Sequence, residues 1–187
     1  YCTKSAITKK SMNTYLTTTC TPLTDIDGYK TVDFIHEFDG RDARMAQTVI
    51  SPSYQMKISG RTVPYSPNWK VTRTGYHPIK WSIDDDADNV LSKAASWNSL
   101  PIIRYAEVLL NYAEAKAELG EMDAAVWDQT IAPLRNRAGV TSVIPAKADP
   151  YMEAYFLNTV TDKWILAERR ERRIELSLEM GLPRYDH

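Results

Sequence analysis

The stretch from Pro101 to Gly139, PIIRYAEVLLNYAEAKAELGEMDAAVWDQTIAPLRNRAG, admits little other than two helices folded back on each other. Ile102, Ala106, Leu109, Ala113 and Ala117 recur at spacings of four, three, four and four, which places them on one helical face. Three of these five are alanine, so a second backbone can approach closely. Ala, Leu, Glu and Lys, all good helix formers, fill most of the remaining positions. Gly120 is placed to end the first helix in a left-handed cap, and Asp123 to cap the second through its carboxylate. Ala138-Gly139 marks the second helix's end. Pro133 falls inside that helix, where it removes the hydrogen bond to the Gln129 carbonyl, so a kink or a break is expected there. The unit is a helical hairpin about as long as one tetratricopeptide repeat of ~34 residues. A lone hairpin cannot bury its own apolar face, and no second copy is present in the sequence. Something else has to cover it.

A second helix pattern runs from about Asp162 to Met180. Trp164, Ala167, Ile174 and Leu178 project to one side, and Ile165, Leu166, Leu176 and Met180 largely to the other. Glu168, Glu175 and Glu179, with Arg172, form a stripe between them. A helix that is apolar on two flanks is sandwiched between neighbours. Its acidic stripe then needs donors, and Arg172 is spaced to pair with Glu168 and with Glu175. Gly181 and Pro183 are placed to stop the helix.

The first hundred residues lack such periodicity. Pro22, Pro52, Pro64, Pro67 and Pro78, with Gly28, Gly40, Gly60 and Gly75, break them into loops and short extended pieces. Extended segments are expected at Lys30–Phe34, Gln47–Ile50 and Ile79–Ile83, and one helical turn at Asp42–Gln47. The acids and arginines interleaved in Phe38–Arg44 read as a structural Arg–Asp clamp. Asp84, Asp86 and Asp88 alternate as in a calcium loop, but the glycine position holds Asn89 and the bidentate Glu position holds Ala95, so a solvated acidic turn is expected.

Net charge of -1 makes no electrostatic case for nucleic acid as a partner. No apolar run approaches the ~20 residues needed to span a bilayer. Cys2 and Cys20 fit neither a zinc spacing nor a CxxC, and are compatible with a disulfide or with two free thiols. The chain has no GxSxG, HExxH, Walker or GxGxxG motif, and His36, His77 and His187 have no recognisable partner set. The reading is therefore no catalytic residue, no metal, no cofactor and no enzyme. With 11 Tyr and 5 Trp against 3 Phe, the aromatic complement favours rings with a polar handle, suited to half-wet surfaces. Tyr54, Tyr65, Trp69 and Tyr76 lie along one loop-rich stretch. Each could simply pin its own loop; displayed outward, they could stack on the flat face of a ligand.

The ordered set Tyr15-Leu16, GRDAR (Gly40–Arg44), TGYHPIKW (Thr74–Trp81), IRYAEVLLNYAEAKAELG (Ile103–Gly120), PLRNRAGV (Pro133–Val140) and ERRIELSLE (Glu171–Glu179) resembles the SusD/RagB-like family. Met180 and Pro183 depart from the Glu-Gly-x-Arg that the family usually carries. The resemblance implies a mainly α fold. It has a tetratricopeptide-like helical hairpin plus a further C-terminal helix, with a loop-rich region of short strands packed on it. Residues 1–100 would form the loop-rich region and 101–187 the helical one, as the C-terminal part of a longer outer-membrane lipoprotein. It further implies non-catalytic glycan or nutrient binding at the cell surface and delivery to a SusC-like TonB-dependent transporter. The implied partners are that ligand, the transporter and the N-terminal part of the same protein, which would carry the lipid anchor. For binding glycan, Tyr54, Tyr65, Asn68 and Trp69 are the candidates. The alternative is a tetratricopeptide-like scaffold for protein–protein contact.

Overall fold

The computed structural model describes residues 7–58, 60–68, 70, 72–80 and 101–179. Among them the hairpin forms as α3 (Tyr105–Glu118) and α4 (Ala124–Arg137). Gly120 adopts a positive φ of 69°, and the Glu121 N–H reaches back to the Lys116 carbonyl at 2.8 Å. Asp123 accepts from the Val126 N–H at 2.8 Å, which completes the turn between the helices. The buried face of α3 is Ala106, Leu110, Ala113 and Ala117, so Leu110 replaces Leu109 at its centre. Ile102 precedes the helix and is 94% exposed, not part of the face. Pro133 does not divide α4. Both Pro133 and Gln129 face solvent, so the carbonyl left without its helical partner lies where water can satisfy it.

What covers the hairpin is α6 (Lys163–Glu175), which packs along α3 and also touches α4. Trp164, Ile165, Ala167 and Leu176 close the cluster formed by Leu110, Ala113, Trp127 and Ile131. The helix is shorter than the Asp162–Met180 span expected. Leu176 caps it, and Leu178 takes a φ of 61°, so the chain turns away before Gly181 and Pro183, which lie outside the described residues. On its other flank Ile174 joins Met12, Tyr15, Met45, Val49 and Tyr76 in a second cluster. Helix α6 is thus sandwiched between the hairpin and the loop-rich region, as its two apolar flanks require. A short helix α5 (Pro150–Tyr155), capped by Asp149, is tied to α6 by the Arg170–Asp149 ion pair.

The loop-rich region contains α1 (Lys9–Met12), α2 (Ala43–Thr48) and one antiparallel hairpin of β1 (Gln55–Ile58) and β2 (Arg61–Pro64). Asp42 caps α2, which confirms the helical turn expected there. The extended pieces lie elsewhere than expected. Lys30–Phe34 is turn and irregular chain, and Gln47-Thr48 belongs to α2. Val49 makes a single bridge to Pro78. Trp81–Ile83 and the acidic run Asp84–Asn89 lie outside the described residues, as does Cys2. Tyr76 is buried, and its hydroxyl donates to Glu37 at 2.7 Å, so this ring pins its loop.

The outer side of α3 is also apolar. Tyr105, Val108, Tyr112, Ala115 and Leu119 repeat at three, four, three and four, and all are exposed, Tyr105 at 76% and Leu119 at 70%. At 100° per residue this stripe lies nearly opposite the buried face. One helix therefore carries two apolar faces, of which the protein's described residues cover one.

Candidate functional site

Two features stand out: a cluster of rings on the loops and a charged cleft beside α6. The rings are placed by the β-hairpin. Its register pairs Gln55 with Pro64, and one step further the Tyr65 N–H donates to the Tyr54 carbonyl at 3.2 Å. The two tyrosines are therefore cross-strand neighbours, with ring centroids 6.5 Å apart and planes at 79°, an edge-to-face pair. The His77 ring lies 6.2 Å from Tyr65. The Asn68 N–H donates to His77 Nδ1 at a long 3.5 Å, which leaves the ring's proton on Nε2. Burial pulls the His77 pKa below its ordinary value, in keeping with a neutral ring. Asn68 Oδ1 accepts from the Lys70 N–H at 2.9 Å, so this side chain shapes its own turn while staying exposed. Of the four residues expected to bind ligand, Tyr65 and Asn68 thus adjoin His77, and Tyr54 packs against Tyr65. Trp69 lies outside the described residues. Sequence reasoning passed over His77, because the hairpin that turns Tyr65 toward it has no strong strand signature.

The second feature is built from the acidic stripe of α6. Glu171, absent from the expected stripe, is its most buried member. It accepts from Arg44 Nη1 at 2.6 Å and from Arg135 Nε at 2.9 Å. Burial opposes its charge, but these two guanidinium groups outweigh that and hold its pKa below the usual carboxylate range. Arg44 also forks onto Asp42 at 2.7 Å, so the expected clamp is present and extends into α6. Burial likewise works against the Arg44 charge; Glu171 and Asp42 overcome it and raise the pKa.

One turn on, Glu175 accepts from Arg44 (3.0 Å), from Arg104 at the start of α3 (3.0 Å) and from Arg137 at the end of α4 (2.6 Å). Against the cost of burial, Arg137, Arg44 and Arg104 bring its pKa down to about 2. The expected Arg172–Glu175 pair does not form, because these three arginines occupy Glu175. Arg172 instead pairs with Glu168 at 2.9 Å, as expected, and with Glu114 of α3 at 2.9 Å. One guanidinium between two carboxylates does not offset the burial of Glu168, whose pKa rises to about 7. Beyond the helix, Glu179 is held by Arg104 at 2.7 Å and Lys80 at 2.6 Å. Arg44, Lys80, Arg104, Arg137, Glu175 and Glu179 line a cleft of about 340 Å³.

Among the described residues no group of three or more His, Cys, Asp or Glu side chains could hold a metal ion. No helix among them is long and apolar enough to cross a membrane. Three helices and a buried ion-pair hub thus hold a loop-rich surface that carries the ring cluster. The chain belongs to the SusD family, whose model matches residues 3–184. That family binds nutrients, glycans among them, at the cell surface; its members are outer-membrane-associated lipoproteins and are generally not catalysts. No curated protein and no solved structure matches the chain.

Proposed function

We propose that this protein binds a glycan at the bacterial cell surface without cleaving it, and delivers it to a SusC-like TonB-dependent transporter of the outer membrane. In this reading the protein is itself a lipid-anchored surface protein, and Tyr54, Tyr65, Asn68 and Trp69 contact the sugar. The observation that carries the reading is the family membership across residues 3–184, and the Tyr54–Tyr65 pair beside His77 supports the choice of site. An edge-to-face pair offers a rigid apolar surface with hydroxyls at its rim, suited to the C–H face and the hydroxyls of a pyranose.

A glycan array followed by calorimetry tests it. Tyr54→Ala, Tyr65→Ala and Trp69→Ala should each weaken the bound glycan roughly 3- to 10-fold, from about 0.5–1.5 kcal/mol per aromatic contact. A glycan held with unchanged affinity by all three variants would remove this site. A reducing-end assay on the same glycan should stay flat; turnover abolished by one carboxylate substitution would make the protein an enzyme.

A contact with another protein would have to use a different face of the hairpin. The Ala113 face is closed by α4 and α6, but the opposite stripe of α3 is open and apolar, and it suits a contact with another helical surface.

A further inference from the structure

Among the described residues, the cleft beside α6 holds more positive than negative charge. Its walls carry Arg44, Lys80, Arg104 and Arg137 against Glu175 and Glu179. Much of the Arg44 charge is answered behind the wall by Asp42 and Glu171, and Glu171 also takes Arg135. With these included, the set still has five cations against four carboxylates, so one positive charge is in excess. The excess is located at Arg137. Its Nη2 is spent on Glu175, while its Nε and Nη1 make no hydrogen bond among the described residues, and its side chain is 56% exposed. The two carboxylates are poor deterrents to an incoming anion. Both oxygens of Glu175 are covered by guanidinium groups, and Glu179 is forked by Arg104 and joined by Lys80.

The cleft is also joined to the ring cluster by one short segment. The Ile50 N–H donates to the His77 carbonyl at 2.9 Å, and the Ile79 N–H donates to the Thr48 carbonyl at 2.9 Å. His77 stands against Tyr65 and Lys80 lines the cleft, three residues along this segment, or about 10 Å in extended chain. The rings and the cleft therefore adjoin neighbouring parts of one segment.

From this geometry we infer that the cleft is a subsite for an oxyanion, and that the ligand is an acidic oligosaccharide whose carboxylate or sulfate group sits against Arg137. The inference rests on the glycan reading for its ligand, but not for the anion site itself. Charge-assisted hydrogen bonds to a planar guanidinium select oxyanions over hydroxyls, and a partly desolvated cleft strengthens them.

The test has two arms on the full chain. In the first, inorganic sulfate is titrated while the arginine Nε–H resonances are followed by NMR. A saturable shift at Arg137 and Arg104 is expected, and in Arg137→Gln the shift remaining at Arg104 should need roughly tenfold more sulfate. In the second, calorimetry at low salt compares an oligogalacturonate, a sulfated galacto-oligosaccharide and a neutral galacto-oligosaccharide of equal length. At least one acidic ligand should bind roughly tenfold or more tightly than the neutral one, and which of them does so identifies the anion. That preference should collapse in Arg137→Gln and persist in part in Arg137→Lys, which keeps the charge without the planar fork. An Arg137→Gln variant that keeps the full preference for the acidic ligand would overturn the inference. So would a neutral ligand bound as tightly as the acidic ones, or the absence of any response to sulfate. Saturable sulfate binding with no oligosaccharide bound would retain the anion site and refute the glycan reading. Neutral glycan bound through Tyr54 and Tyr65 with no response to sulfate would do the reverse.

Discussion

Replacing Arg44 by Met tests whether the ion-pair hub, and not only apolar packing, holds the loop-rich region to the helices. The two side chains have similar length, so the change removes charge and hydrogen bonds more than volume. Asp42 keeps the bond from the backbone N–H of residue 44, at 2.9 Å, and Glu175 keeps Arg104 and Arg137. Asp42 is otherwise left with no cation among the described residues, and Glu171, fully buried, retains Arg135 alone. Breaking a buried pair by removing one partner costs about 3–5 kcal/mol, because the remaining charge lacks an answer. For a domain of 150–250 residues each kcal/mol moves Tm by about 2–4 °C, so Arg44→Met should melt roughly 6–20 °C lower by calorimetry.

The double variant Arg44→Met/Glu171→Leu separates the hub's specificity from its net strength. Removing both partners still leaves the buried Asp42 without Arg44 and the buried Arg135 without Glu171, so the double variant should recover only part of the loss, yet be more stable than the sum of its single variants. An Arg44→Met protein melting within about 2 °C of the parent would show that the network adds nothing to stability. Strict additivity of the two substitutions would show that Arg44 and Glu171 do not act as a pair.

Acid should destabilise the protein through Glu175. Its native pKa of about 2 lies below the ordinary 4.5, so its contribution is complete above pH 4.5 and is lost as the pH falls toward 2. Glu168 acts in the opposite sense: with a native pKa of about 7 it holds its proton more tightly when folded, so its contribution falls as the pH rises from 4.5 to 7. Glu168→Gln should flatten the Tm–pH curve in that window, and an unchanged slope would refute the assignment. Tyr105→Lys/Leu119→Lys, on the open stripe of α3, should change stability by less than about 0.5 kcal/mol per site while lowering the binding of an apolar dye. Equal dye binding would mean that the stripe is not open in solution. Gly120→Ala meets no atom within 4 Å of the added methyl group but keeps a φ of 69°. Backbone strain alone should therefore cost about 1 kcal/mol in urea unfolding, and no loss would contradict the left-handed cap.

The helical frame was legible in the sequence because its signals are local. Alternation of threes and fours, Gly120 after the last periodic residue, and Asp123 before the next run all act within a few residues of where they are read. The error at Leu109 is an error of phase: Leu109 and Leu110 both lie near the buried side, and only contact with α4 and α6 selects between them. Pro133 leaves α4 undivided for a similar reason, since its cost depends on whether the orphaned carbonyl meets water or protein. The two-sided character of α6 was also visible, and it correctly demanded neighbours on both flanks. Its donors were not visible, because Arg44, Arg104, Arg135 and Arg137 come from α2, the start of α3 and the end of α4, and no local pattern joins them. The requirement that buried carboxylates be paired predicts that such arginines exist without saying which they are. Likewise Tyr54, Tyr65 and Asn68 could be chosen for chemistry but not assembled, since the turn that brings the tyrosines face to edge is held by backbone pairing with few strong propensities behind it.

The same division between local and distant determinants explains how a region with so little regular structure can present an ordered surface. Its own apolar residues form a small cluster around Met12, Met45 and Tyr76, against one flank of α6. Arg44 then fastens α2 to Glu171 and Glu175, and the bridge from Val49 to Pro78 passes that anchorage on to the segment carrying His77. From α6 outward, each step of attachment is made by fewer and more specific contacts, and the last of them positions the rings. Loosening Arg44 should therefore disturb the ring cluster before it unfolds the helices. In Arg44→Met, hydrogen exchange should quicken at the amides of Ile50 and Ile79, which make the bonds flanking that bridge, while those of α3 and α4 stay protected. Uniform loss of protection across both regions would mean that the hub serves the fold as a whole and not the site in particular.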